Sequence, residues 1–140
     1  MEQTQAMKTL LLTFLISLSL NPFVLDFSIY TSPEAAFTSL ESAFKSGDVN
    51  AIMSHADEKI LLEINNGESV YSKAQAFAIL TVFFNRHKPQ DFILKSKSLN
   101  KGNYALIGTL ITEKKNFRVS IKLRESGQLF FLDKIVMNPV

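Results

Sequence analysis

The side chains in this 140-residue chain best suited to moving protons are its two histidines and an aspartate set among apolar neighbours. His87 stands at the end of a strongly apolar helical segment, at an angular position inside the apolar arc. An imidazole there points to the interior as a general base or ligand-binding group; alternatively it simply interacts with the last helix carbonyls. Asp133 falls in the final strand-like run. Buried there, its carboxyl would be raised toward the range of a proton-abstracting base; otherwise it pairs with Arg118 or Lys122 on a neighbouring strand. His55 and Asp57 form a His-Ala-Asp triplet. An imidazole–carboxylate pair can do acid/base chemistry, but this spacing matches no zinc motif, and the alternative is a pair of solvated linker residues. Tyr71 and Tyr104 offer hydroxyls to a pocket, though Tyr71 also suits a staple over a helix start. With no cysteine, disulfides and thiolate zinc sites are excluded, so neither metal nor cofactor is expected.

The elements that must hold these groups follow from punctuation and periodicity. Ser32-Pro33-Glu34 opens a helix carrying Phe37, Leu40 and Phe44 on one face, and Lys45 and Gly47 close it. Asp48 caps a short second helix with Val49, Ile52 and Met53 inward. Glu58–Ile64 reads as a strand with Ile60, Leu62 and Ile64 on its inner face, followed by the turn Asn65-Asn66-Gly67-Glu68 and a brief return strand at Ser69–Tyr71. Ser72 and Gln75 form a capping box for a third helix. Its residues Ala76, Phe77, Ile79, Leu80, Phe83 and Phe84 fall within one arc of roughly 160° at about 100° per residue. Arg86-His87-Lys88-Pro89 stops it. Four strand signals follow: Phe92–Leu99, Tyr104–Glu113, Phe117–Glu125 and Leu129–Met137. In the third, Phe117, Val119, Ile121 and Leu123 alternate with Arg118, Ser120, Lys122 and Arg124. The first puts Lys95 and Lys97 on a single face. Gly108 marks a bulge or sharp bend, and the last strand is apolar on both faces. The order predicts an α+β fold, with a helix lying across a curved, mainly antiparallel sheet. A cup lined by Phe77, Leu80, Phe84, His87 and Asp133 is the expected ligand pocket.

Charge is divided unevenly. Residues 32–85 carry three Lys/Arg against seven acids, net −4, and residues 86–140 carry eleven against four, net +7. Lys95, Lys97, Arg118, Lys122 and Arg124 form the expected basic face, either steering an anion or keeping a sheet face soluble. At the N-terminus Lys8 precedes the apolar run Leu10–Leu20, of signal-peptide length and too short to span comfortably. Residues 1–30 are therefore read as a signal peptide or N-terminal apolar segment, and 31–140 as one domain. Export to the periplasm or beyond is expected, with no stable membrane span after processing; an uncleaved anchor is the alternative.

Several stretches in register also resemble domain of unknown function family 4783. They are Ala43-Phe44-Lys45-Ser46-Gly47-Asp48, Val70-Tyr71-Ser72-Lys73-Ala74-Gln75-Ala76, Phe83-Phe84, Tyr104-Ala105-Leu106-Ile107-Gly108-Thr109-Leu110 and Asn116-Phe117-Arg118-Val119. Together they cover roughly residues 33–137. The resemblance implies a small exported protein of Bacteroidota-type bacteria with a nuclear transport factor 2-like fold. That fold is a cone of three N-terminal helices on a strongly curved sheet of about five to six strands. It implies no activity and carries over no functional residues. Three functions fit. The first is a non-catalytic module binding a small apolar ligand or a protein partner. The second is a cofactor-independent isomerase- or dehydratase-like enzyme using Asp133 and His87, a reading that rests on fold analogy. The third is polyanion binding through the basic face. The lack of interleaved exposed aromatics counts against nucleic acid. The doubly apolar last strand further points to a homodimer that buries one of its faces.

Overall fold

Side-chain oxygens decide where the helices begin. Ser32 Oγ accepts the Ala35 N–H at 3.1 Å, with proline in the first turn of α1 (Pro33–Ser46). Asp48 Oδ1 accepts the Ala51 N–H at 3.0 Å and starts α2 (Val49–Ser54). The capping box at Ser72 is complete: Gln75 N–H donates to Ser72 Oγ at 3.2 Å and Ser72 N–H to Gln75 Oε1 at 3.0 Å, opening α3 (Lys73–Arg86). Gly47 ends α1 in the left-handed conformation at φ 68°, and a Cβ there would meet Pro89 Cγ at 2.8 Å. Conformation and space both demand glycine. The structure is a computed structural model and describes residues 32–140. The expected targeting segment, residues 1–30, lies outside the described residues.

Six strands complete the fold: β1 (Ala56–Ile64), β2 (Gly67–Ser72), β3 (Pro89–Asn100), β4 (Asn103–Thr112), β5 (Phe117–Ser126) and β6 (Leu129–Pro139). They form one sheet in the order β2-β1-β6-β5-β4-β3. Every pairing is antiparallel except β1 with β6, where the first hairpin joins the meander. Asn65 and Asn66 both adopt positive φ, 53° and 66°, and turn β1 into β2 through a two-residue loop, as twisted strands require.

The register slips at four places in this sheet, and two of these bulges matter for the candidate site. Leu94 pairs with Gly108 but Ser96 with Ile107, leaving Lys95 as the extra residue of β3. The bend sits at Gly108 because a Cβ there would lie 2.4 Å from Phe92 Cζ and 3.0 Å from the Ile93 carbonyl oxygen. On β6, Leu132 pairs with Leu123 but Lys134 with Lys122, so Asp133 is the extra residue. That slip changes the alternation. Phe130 and Leu132 face inward before it, and Ile135 and Met137 after it, all four buried. The apparent apolarity of both faces of β6 is largely this change of phase, and Leu129, Phe131 and Val136 are what remains outside.

The inner face meets the helices. Leu80 is fully buried, and Phe83 and Phe84 are nearly so. Phe84 packs edge-on against Phe83 at 5.3 Å and Phe44 at 6.0 Å, while Phe44 also meets Phe92 at 5.7 Å. Phe37, Phe44 and Phe117 are wholly sequestered, each contributing about 1.5–3 kcal/mol of transfer free energy. Among the described residues, no helix is long and apolar enough to cross a membrane.

Candidate functional site

The five residues expected to line one cup occupy separate places. Leu80 and Phe84 are core packing, so their part of the cup is filled by side chains. Phe77 is 38% exposed and borders an open groove with Asn50, Met53, Ser54, Lys73 and Ala74. The 160° arc is wider than the strip that α3 buries, namely Ala76, Leu80, Phe83 and Phe84, and Phe77 falls at its edge.

Asp133 is not buried. Its side chain is 54% exposed and lies 3.6 Å from Arg124 Nε, so the pairing is with Arg124 rather than with Arg118 or Lys122. The bulge explains the outcome, because the extra residue of β6 is turned away from the core. Arg124 also reaches Asp57 at 3.3 Å and covers the Phe131 ring at 5.6 Å. His87 is remote from this cluster. Its ring packs on Phe117, which pairs with Pro139, six residues of strand beyond Asp133 and so roughly 20 Å away. A base–donor pair of Asp133 and His87 is therefore not assembled.

His87 caps α3, its N–H donating to the Phe83 carbonyl at 2.9 Å. The ring lies between Phe83 and Phe117, at 5.0 and 4.9 Å. Desolvation lowers its pKa first, and the charges of Lys115, Lys114 and Arg86 lower it further. It borders a cavity of about 210 Å³ with Ile64, Ile79, Val82, Phe83 and Arg86. Its Nδ1 is buried with no hydrogen-bond partner among the described residues.

His55 and Asp57 do not form a pair, and His55 is not solvated. Only 2% of His55 is exposed, and its Nε2 lies 3.1 Å from Ser39 Oγ on α1. Burial lowers its pKa from the ordinary 6.5 to about 4. Asp57, one residue beyond Ala56, already faces solvent and Arg124. Tyr104 is buried, donates to Glu125 Oε2 at 3.1 Å and packs edge-on against Phe130 at 5.0 Å. Desolvation and then that carboxylate raise its pKa. Tyr71 is partly buried against the core, as a staple would be.

The basic face is divided as well. After the bulge at Lys95, Lys97 pairs with inward-facing Leu106 and its ammonium reaches Glu34 of α1 at 3.8 Å, while Lys95 remains exposed. Arg124 is paired with two carboxylates. That leaves Arg118 and Lys122 on the outer face of β5, neither in an ion pair among the described residues. Beside them on β6, Lys134 holds Glu68 at 3.0 Å and Glu63 at 4.0 Å, and Asn138 donates to Glu63 at 3.0 Å. The hydrogen bond from Lys134, with its charge, lowers the Glu68 carboxyl. No spacing rule reveals this network, since Glu63, Glu68 and Lys134 meet only through the β1–β6 pairing.

The family model described as Domain of unknown function (DUF4783) matches residues 37–138. A DUF4783 family protein from Bacteroides uniformis is similar in structure, with TM-score 0.70 and 24% identity over 74% of this chain and 95% of its own. An NTF2-like protein of unknown function from Burkholderia xenovorans gives TM-score 0.61 at 9% identity, over 76% of this chain and 81% of its own. A de novo designed protein with curved beta-sheet gives 0.62 at 12% identity, over 75% and 97%. At these identities the likeness to solved structures is one of fold. No curated protein matches the chain.

Proposed function

Because the chain belongs to the DUF4783 family and has an NTF2-like fold, we propose from its surface chemistry that it is an exported, non-catalytic binding module whose working surface is the outer face of the sheet. The partner that fits this face best is a second copy of the chain. The observation that carries this reading is the pattern of outward residues. Along one row Leu61, Lys134, Lys122, Ala105 and Ser98 lie side by side, and along the next Glu63, Val136, Ser120, Ile107 and Ser96. On β6, half-buried Val136 and Lys134, which holds both carboxylates, lie between an acidic flank, Glu63 and Glu68, and the β5 cations Lys122 and Arg118, neither in an ion pair among the described residues; half-buried Leu61 and Ile107 add apolar surface on either side. A two-fold axis through such a face sets each acidic flank over the partner's basic ridge.

Six strands at about 4.8 Å spacing and the ten residues of β5 at about 3.3 Å give an outline of about 24 by 33 Å, at most about 800 Å² because β2 has only six residues. A standard interface buries about 800 Å² on each partner. Export is supported by Lys8 and the Leu10–Leu20 run. A charge exchange tests the assembly by light scattering after size exclusion. Glu63→Lys and Lys122→Glu each weaken the dimer, and the double variant regains it. A dimer indifferent to all three would place the contact elsewhere.

A further inference from the structure

We propose that the C-terminal end of α3 is a binding site for a small hydrophobic carboxylate, independent of the sheet face. Its hydrocarbon lies in the cavity walled by Ile64, Ile79, Val82 and Phe83, and its carboxylate lies toward Arg86 and His87.

Size, polarity and charge each narrow the ligand. The cavity holds about 210 Å³. A void of about 150 Å³ accommodates a benzene ring, so one ring or a short branched chain fits, with room for a head group. Drug-sized ligands take about 300–1,000 Å³ and are too large. The walls are mostly aliphatic and aromatic, with Asn65 as a polar residue at the edge, which disfavours a fully hydrated ion such as free phosphate, because much of its hydration would be lost against hydrocarbon.

Arg86 lines the pocket, and two further cations lie close enough to His87 to act on its ring. Lys114 and Lys115, on the turn between β4 and β5, and Arg86 all act on the His87 ring with positive sign. None of the three is in an ion pair among the described residues, although Glu113 lies next to Lys114 in the chain. Lys115 is held in place over the Phe117 ring at 5.2 Å, the ring that also supports His87. The carbonyl end of α3 opposes an anion with about half an elementary charge, against three full positive charges nearby.

Benzoate is the probe, titrated into the full folded domain and followed by amide and imidazole chemical shifts, with benzyl alcohol as the uncharged isostere. Benzoate is expected to shift His87, Phe83 and Val82 saturably at millimolar concentration, and benzyl alcohol to bind about tenfold more weakly. Arg86→Gln should weaken benzoate several-fold and leave benzyl alcohol unchanged. Val82→Trp, at a position 49% exposed and so tolerant of a larger side chain, should fill the cavity and abolish both. Absence of saturable shifts at His87 overturns the proposal, as does equal binding of the two probes or unchanged binding in Val82→Trp. Each result is read on the monomer or the dimer alike, so failure here leaves the sheet-face reading standing.

Discussion

Replacing Gly108 by alanine puts a methyl group where β4 approaches Phe92 most closely. The new Cβ would lie 2.4 Å from Phe92 Cζ, 2.6 Å from Cε1 and 3.0 Å from the Ile93 carbonyl oxygen. Carbon atoms pack best at about 3.5–4.0 Å, so the ring must retreat by roughly 1 Å. Its movement is restricted, because the same ring packs against Phe44 at 5.7 Å between centroids. Overpacking of this kind costs about 1–3 kcal/mol, offset by the about 0.4–1 kcal/mol that alanine gains by restricting the unfolded chain. The net expectation is a loss of about 1–2 kcal/mol, seen in urea unfolding as a lower midpoint at unchanged slope. Phe92→Leu removes the two ring carbons that clash. The double variant should therefore lose less than the sum of the singles, by more than about 0.5 kcal/mol. A Gly108→Ala protein as stable as the parent, or strictly additive with Phe92→Leu, would refute the claim that ring access sets the bend.

Three further outcomes follow from the same structure. His55 takes its proton only near pH 4 when folded but near 6.5 when unfolded, so the unfolded chain binds the extra proton between those values. Stability is whole above about pH 6.5 and falls as the pH drops toward 4. The loss is on the order of 3 kcal/mol at about 1.4 kcal/mol per pH unit, and denaturant unfolding of His55→Leu should show that slope flattened. Ser72→Ala removes half of the capping box and should cost about 1 kcal/mol, measured by thermal unfolding. Asp133→Asn alters an exposed pair with Arg124, so its unfolding free energy should stay within about 1 kcal/mol of the parent; a larger loss would mean that the carboxylate supports the bulge.

The parts of the fold written in local chemistry were readable in the chain. Ser32, Asp48 and Ser72 cap the helices expected of them, Asn65-Asn66 makes the hairpin turn, and the alternation of β5 separates its buried and exposed faces correctly. The candidate site was much less legible. Lys95 and Asp133 are the extra residues of bulges, and a bulge is a decision between two paired strands that neither strand carries alone. Reading straight through them put Lys97 with Lys95 and pointed Asp133 into the core. A trace of the second bulge is present in the chain, since Phe130 and Leu132 have opposite parity to Ile135 and Met137 around the polar Asp133-Lys134. His55 carries no such trace. Its partner Ser39 stands sixteen residues away on α1, so their meeting is set by tertiary packing.

Sedimentation velocity of residues 31–140 across a range from about ten to several hundred micromolar tests the sheet-face account most directly. The account expects a boundary that moves from monomer to dimer with concentration and back toward monomer in Lys122→Glu. A single monomeric species throughout would contradict it.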